Sequence, residues 1–128
     1  MECKTRAEQN RHFTKMRLEF EYWLFEKGWP WRQAEAARTM EYAEILAKDG
    51  KGKLDTLHRY SLADDYWLTT DNGLDIKWID SRYQEMGEKW ESLGGWWGGR
   101  RKKKLRNGKV VSDPDVYHFD LGQKPLKY

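Results

Sequence analysis

His58 and Asp65 stand seven positions apart in the segment Thr56-Leu57-His58-Arg59-Tyr60-Ser61-Leu62-Ala63-Asp64-Asp65. A second acid-then-histidine pair, Asp115-Val116-Tyr117-His118, lies near the C-terminus. Two histidines and a carboxylate make the three-ligand set of a catalytic zinc site, which keeps its fourth position for water. Zinc lowers the pKa of bound water from about 15.7 toward 7, so hydroxide is available at neutral pH. Asp115 then has a chemical purpose. A turn or twisted strand would aim its carboxylate at that water as general base, and later as acid toward a leaving amine. Arg38 would stabilise a developing oxyanion or bind a substrate carboxylate. The chain has three histidines, and two of them fall in this pattern. The constellation predicts a small metallopeptidase that binds zinc through His58, Asp65 and His118.

Each spacing is common when taken alone. A loop histidine satisfies the first, and a turn aspartate after Pro114 satisfies the second; the combination carries the expectation. Asp64 is a rival ligand beside Asp65, but side chains alternate along a strand, so one of the two faces the metal. The spacing favours Asp65.

The elements that must position these groups are legible in part. Phe13, Met16, Phe20, Trp23 and Leu24 recur at helical spacing, which predicts an amphipathic helix over about 7–27. Gly28 stops it and Pro30 prevents continuation. Residues 31–37 are a weak strand candidate, and a second helix is expected over about 39–47, followed by a glycine-rich loop at 49–53. The segment 61–68 fits helix or strand. Asp71-Asn72-Gly73 marks a turn. A further helix is expected over about 81–92, with Tyr83, Met86, Trp90 and Leu93 on one face and Ser81 or Asp80 as its cap. Trp96-Trp97, between glycine pairs, is a short strand. The basic stretch with Asn107-Gly108 is an exposed loop or hairpin tip. Residues 116–121 read as a last strand, with Pro114 at its entrance, and 122–128 as a short tail. Helices early and strands late, without regular alternation, predict an α+β domain: a small antiparallel sheet carrying the site, with helices packed on one side.

With 128 residues the chain is one domain, with room for a modest core. Charged residues are abundant, but eight tryptophans and seven tyrosines exclude the composition of a disordered chain. The net charge of +3 comes largely from Arg100-Arg101-Lys102-Lys103-Lys104 with Arg106 and Lys109. The single cysteine, Cys3, forms no internal disulfide and fits a reducing compartment. It sits in a charged terminus expected to fray, and has no assigned role. The N-terminal segment lacks the apolar core of a signal peptide, and no run approaches the roughly 20 apolar residues that cross a bilayer.

At this point the motifs resemble a known family. The segment 56–65 resembles the SxHxxGxAxD motif of the D-Ala-D-Ala carboxypeptidase/dipeptidase group of zinc peptidases, which includes small phage L-alanyl-D-glutamate endopeptidases and shares its fold with the hedgehog signalling domain. Arg38-Thr39 with Glu41-Tyr42 looks like the family's arginine-threonine segment. Trp97-Gly98-Gly99 resembles its WGG, and Asp115-Val116-Tyr117-His118-Phe119-Asp120 resembles its closing acid-and-histidine motif. The order agrees over about residues 28–121, which marks a catalytic core between the first helix and the tail. The resemblance implies zinc on His58, Asp65 and His118, Asp115 as general acid/base, and Arg38 as a substrate or transition-state contact. It also implies hydrolysis of a peptide bond in the peptidoglycan stem. Thr56 and Ser61 stand where the family has serine and glycine; with Trp97 they are expected at the substrate groove, and they bear on substrate fit rather than on the metal. The implied protein is a monomeric phage endolysin. It waits in the host cytoplasm without membrane insertion and reaches the wall once the membrane is opened.

Two other functions fit some of the residues. A cytoplasmic D-Ala-D-Ala dipeptidase would use the same centre. A non-enzymatic binding protein would use the basic loop at 100–109 on nucleic acid, although no aromatic pattern for reading bases interleaves with it and no nucleic acid is expected as partner. The same loop would also be drawn to anionic wall polymers. His12 reads as a surface histidine, and Trp23, Trp29 and Trp31 as packing between helix and sheet.

Overall fold

A computed structural model of the chain describes residues 2–33 and 62–127. Among them are two helices and a small antiparallel sheet, an α+β arrangement. Helix α1 runs over Arg6–Lys27. It starts where Thr5 adopts an extended backbone and its hydroxyl accepts the Glu8 N–H at 3.2 Å, satisfying one of the orphan donors of the first turn. It stops at Gly28, whose φ of 71° closes the helix with its N–H on the Phe25 carbonyl. Phe13, Met16, Phe20 and Leu24 are buried along one stripe, and Trp23 packs at its margin.

Strand β1 is Trp31–Gln33, and β2 is Ala63–Leu68, which resolves the ambiguity of that segment. Helix α2 is Arg82–Ser92. Its N-terminal cap comes from Asp80, whose Oδ1 accepts the Arg82 N–H at 2.9 Å, while Ser81 contributes no side-chain cap. Strand β3 is Trp96–Trp97, a 3₁₀ turn covers Gly98–Arg100, and strands β4, Lys102–Lys104, and β5, Val110–Ser112, form a separate hairpin. Strand β6 is His118–Asp120. It is shorter than the 116–121 strand expected, because the Asp115 carbonyl accepts the His118 N–H at 3.2 Å and makes a turn of the residues before it.

The main sheet has the order β1-β2-β6-β3, antiparallel throughout. Its register sorts side chains onto two faces. Tyr66, Leu68, Trp97 and Phe119 lie on the face against the helices. Phe20 of α1 sits at the centre, with ring centroids 5.1 Å from Tyr66, 5.1 Å from Phe119 and 5.3 Å from Trp90 of α2. Each such ring removed from water contributes about 2–3 kcal/mol. The other face carries Arg32, Trp67, Asp65, His118, Asp120 and Trp96. A small antiparallel sheet with helices packed against it is the α+β arrangement the sequence predicts.

Both ends of the described chain are tied down. The Arg6 N–H donates to the Lys127 carbonyl at 2.8 Å, and the buried Gln9 side chain donates to Lys124 O and accepts the Leu126 N–H. This clamp explains why Cys3 is buried rather than frayed. No helix among the described residues is long and apolar enough to cross a membrane. The helix expected at 39–47, the loop at 49–53 and the remainder of the strand expected at 31–37 lie outside the described residues.

Candidate metal centre

Asp65 and His118 are directly opposed in the register of β2 and β6. Their side chains therefore leave the sheet on the same side, and Asp65 Oδ1 lies 3.5 Å from His118 Nδ1. Two ligands held about 2.0–2.1 Å from zinc stand about 3.3–3.4 Å apart along a tetrahedral edge. One nitrogen and one carboxylate oxygen at this separation are a donor pair that fits zinc. His58, the third predicted ligand, lies outside the described residues, as do Arg38, Thr56 and Ser61. The described residues by themselves contain no group of three or more His, Cys, Asp or Glu side chains suited to a metal.

The strand sends the two aspartates to opposite faces of the sheet. Asp64 points to the helix face and is fully buried, with Oδ2 2.6 Å from Arg17 Nε and accepting the Gln33 amide at 2.7 Å. Asp64 thus ties β2 to α1, and burial together with Asp64 and Glu21 pushes the nearby Tyr66 phenol well up, so it stays neutral. Asp65 is half-buried on the opposite face.

The second nitrogen of His118 is also held. Nε2 is 2.8 Å from Asp120 Oδ2, and Asp120 Oδ1 accepts the Gly122 N–H at 2.6 Å. Burial by itself lowers the pKa of the His118 ring, but the carboxylates of Asp120 and Asp65 outweigh it and push it up to about 9. In the metal-free protein the ring is therefore an imidazolium at neutral pH, and any metal that binds Nδ1 displaces a proton. Asp120 closes the acid-and-histidine motif and has no role in the sequence reading. The signal was present: on a strand, residue i+2 shares the face of residue i.

Asp115 is half-buried at the start of the turn that leads into β6. Its Oδ1 accepts the Tyr117 N–H at 3.3 Å, its N–H donates to the Gly98 carbonyl at 2.9 Å, and its carbonyl receives His118. This turn packs so closely on Gly98 that a Cβ there would lie 2.3 Å from the Asp115 carbonyl oxygen and 2.9 Å from His118 Cβ. The glycine after Trp97 is thus what allows the acid and the histidine to sit together. Trp97, expected at the substrate groove, lies on the core side of β3, 2% exposed with its indole N–H donating to the Val116 carbonyl, and also helps line the cleft between Trp78 and Val116. Its neighbour Trp96 takes the other side of the strand, edge-on to His118 with centroids 5.9 Å apart. On the far side of the pair, Arg32 covers Trp67, Trp67 meets Trp78, and Trp78 meets Tyr117. A cleft lined by Trp78, Ile79, Tyr83 and Val116 opens beside the Asp115 turn.

No family model matches the chain, and no curated protein matches it.

Proposed function

We propose that this chain is a zinc peptidase that cleaves the stem peptide of peptidoglycan, built on the fold shared by the D-Ala-D-Ala carboxypeptidase/dipeptidase group and the hedgehog domain, and acting as a phage endolysin. The observation that carries this reading is the opposed Asp65–His118 pair, 3.5 Å apart on the sheet face away from α1 and α2. His58 completes the ligand set. When bound, the metal supplies Lewis acidity and a water activated near neutral pH.

The chain's own groups do the rest. Asp115, fixed by the Tyr117 N–H at the mouth of β6, takes the proton of the attacking water and returns it to the departing amine. Arg38 binds the substrate carboxylate or the developing oxyanion. Thr56 and Ser61 border the peptide, and Trp96 is the indole placed to contact it beside His118. The exposed hairpin of β4 and β5, with Lys102, Lys103 and Lys104 in one strand, draws the enzyme toward anionic wall polymers. The enzyme acts as a monomer after the host membrane has been opened.

The test uses purified full-length protein, zinc analysis and purified sacculi. The expected result is about one zinc per chain, lost in His58→Ala and His118→Ala, and wall cleavage lost in Asp115→Ala with zinc retained. Cleavage undiminished in Asp115→Ala removes Asp115 as the base. A zinc-free wild type that instead binds DNA or RNA with a steep salt dependence replaces the peptidase with a basic binding protein. Cleavage of free D-Ala-D-Ala but not of sacculi makes it a dipeptidase. Mass spectrometry of the released fragments identifies the bond cut.

A further inference from the structure

Asp120 is one of few buried acids among the described residues, 5% exposed. Its two oxygens have separate tasks. Oδ1 accepts the Gly122 backbone N–H at 2.6 Å, which fixes the carboxylate plane; Oδ2 is 2.8 Å from His118 Nε2. The residue itself is anchored on both sides. Its carbonyl accepts the buried Trp90 indole N–H at 2.8 Å, and it sits between Ala63 of β2 and Trp96 of β3 in the ladder. The carboxylate is therefore set by backbone and core, and the ring must conform to it. The ring's other nitrogen, Nδ1, is turned to Asp65.

We propose that Asp120 is a positioning residue that holds the Nε2–H of His118 and so presents Nδ1, rather than Nε2, to the metal. The proposal rests on the zinc reading above. An imidazole that binds a metal through one nitrogen almost always donates the N–H of the other to a carboxylate or carbonyl, which fixes ring orientation and raises ligand basicity. Here that partner is two residues along the same strand, so ligand and support move as one rigid unit with β6. Trp96 closes the remaining side of the ring, edge-on at 5.9 Å.

The experiment measures zinc affinity by competition with a chromophoric chelator for the wild-type chain, Asp120→Asn and Asp120→Ala. Long-range 1H–15N spectra of the zinc-loaded wild type are recorded in parallel. Loss of a supporting partner of this kind costs roughly 10–100-fold in metal affinity, so Asp120→Ala should weaken zinc by that factor. Asp120→Asn, which keeps an acceptor but no charge, should fall between the two. The spectra should show His118 protonated at Nε2 and metallated at Nδ1. Metal on Nε2 overturns the proposal, as does unchanged affinity in both variants, even where their melting temperatures drop. In either case zinc is still bound and the metal reading stands. A wild type that takes up no zinc overturns both together. If Asp120→Ala fails to fold, the wild-type spectrum and Asp120→Asn still decide.

Discussion

The carboxylate of Asp65 and the imidazole of His118 meet across two neighbouring strands with 3.5 Å between Oδ1 and Nδ1, while the adjacent Asp64 leaves the same strand on the opposite side to meet Arg17. Two consecutive acids therefore have different tasks. One faces a candidate metal centre and the other fastens the sheet to a helix.

That division predicts opposite outcomes for neighbouring substitutions. Asp64→Ala opens a cavity under the sheet and leaves Arg17 with Glu21 in place of its buried partner, so the cost falls at or below the low end of the range of about 3–5 kcal/mol for a broken buried pair. Its melting temperature should fall sharply while any folded fraction still binds zinc. Asp65→Ala should lose zinc and, compared in chelator, melt only modestly below the wild type, by the share of the His118 stabilisation that Asp65 supplies. Calorimetry with zinc titration separates the two, and a zinc-competent Asp65→Ala would exclude that carboxylate as a ligand.

The metal-free protein should lose stability at alkaline pH. The folded His118 pKa, about 9, lies above the ordinary value of 6.5, so the folded state holds the proton more tightly than the unfolded chain does. This contribution is complete below pH 6.5 and disappears as pH rises through 9. Its size is on the order of 3 kcal/mol. Thermal melts in chelator across that window should decline, and His118→Gln should flatten the decline. An equally steep decline in His118→Gln would place its origin elsewhere.

Gly87 lies within α2, where alanine ordinarily stabilises a helix by about 1 kcal/mol. A Cβ at that position would lie 2.0–2.3 Å from the Trp97 ring. Overpacking should therefore win, and Gly87→Ala should destabilise by about 1–3 kcal/mol. Denaturant unfolding reads the sign directly. A stabilised Gly87→Ala would mean that Trp97 moves aside without cost.

Replacing Lys102, Lys103 and Lys104 with glutamate should weaken sedimentation with anionic sacculi several-fold at low salt and little at about 0.5 M, where charges are screened within a few ångströms. These side chains are exposed in the β4–β5 hairpin, apart from the main sheet, so the fold should survive. Binding indifferent to the substitutions at low salt would assign the hairpin another task.

Elements that depend on local chemistry are legible from the residues alone. The apolar spacing of Phe13, Met16, Phe20 and Leu24, closed by Gly28, is enough to specify α1, because helix periodicity and a left-handed stop act within a few residues. The same holds for the turn at 71–73 and the helix carrying Tyr83, Met86 and Trp90. On a strand, alternation also requires Asp64 and Asp65 to leave on opposite faces, as they do in β2.

The pairing of distant strands is not legible in this way. Nothing local states that Asp65 stands opposite His118, or that Trp96 rather than Trp97 faces the ring. Each follows from a register between strands distant in the chain, and a slip of one residue would exchange every side chain between the faces. The core rings of Tyr66, Trp97 and Phe119 oppose such a slip, because they fill the helix side of the sheet. Hydrophobic packing on one face thereby fixes which polar groups meet on the other.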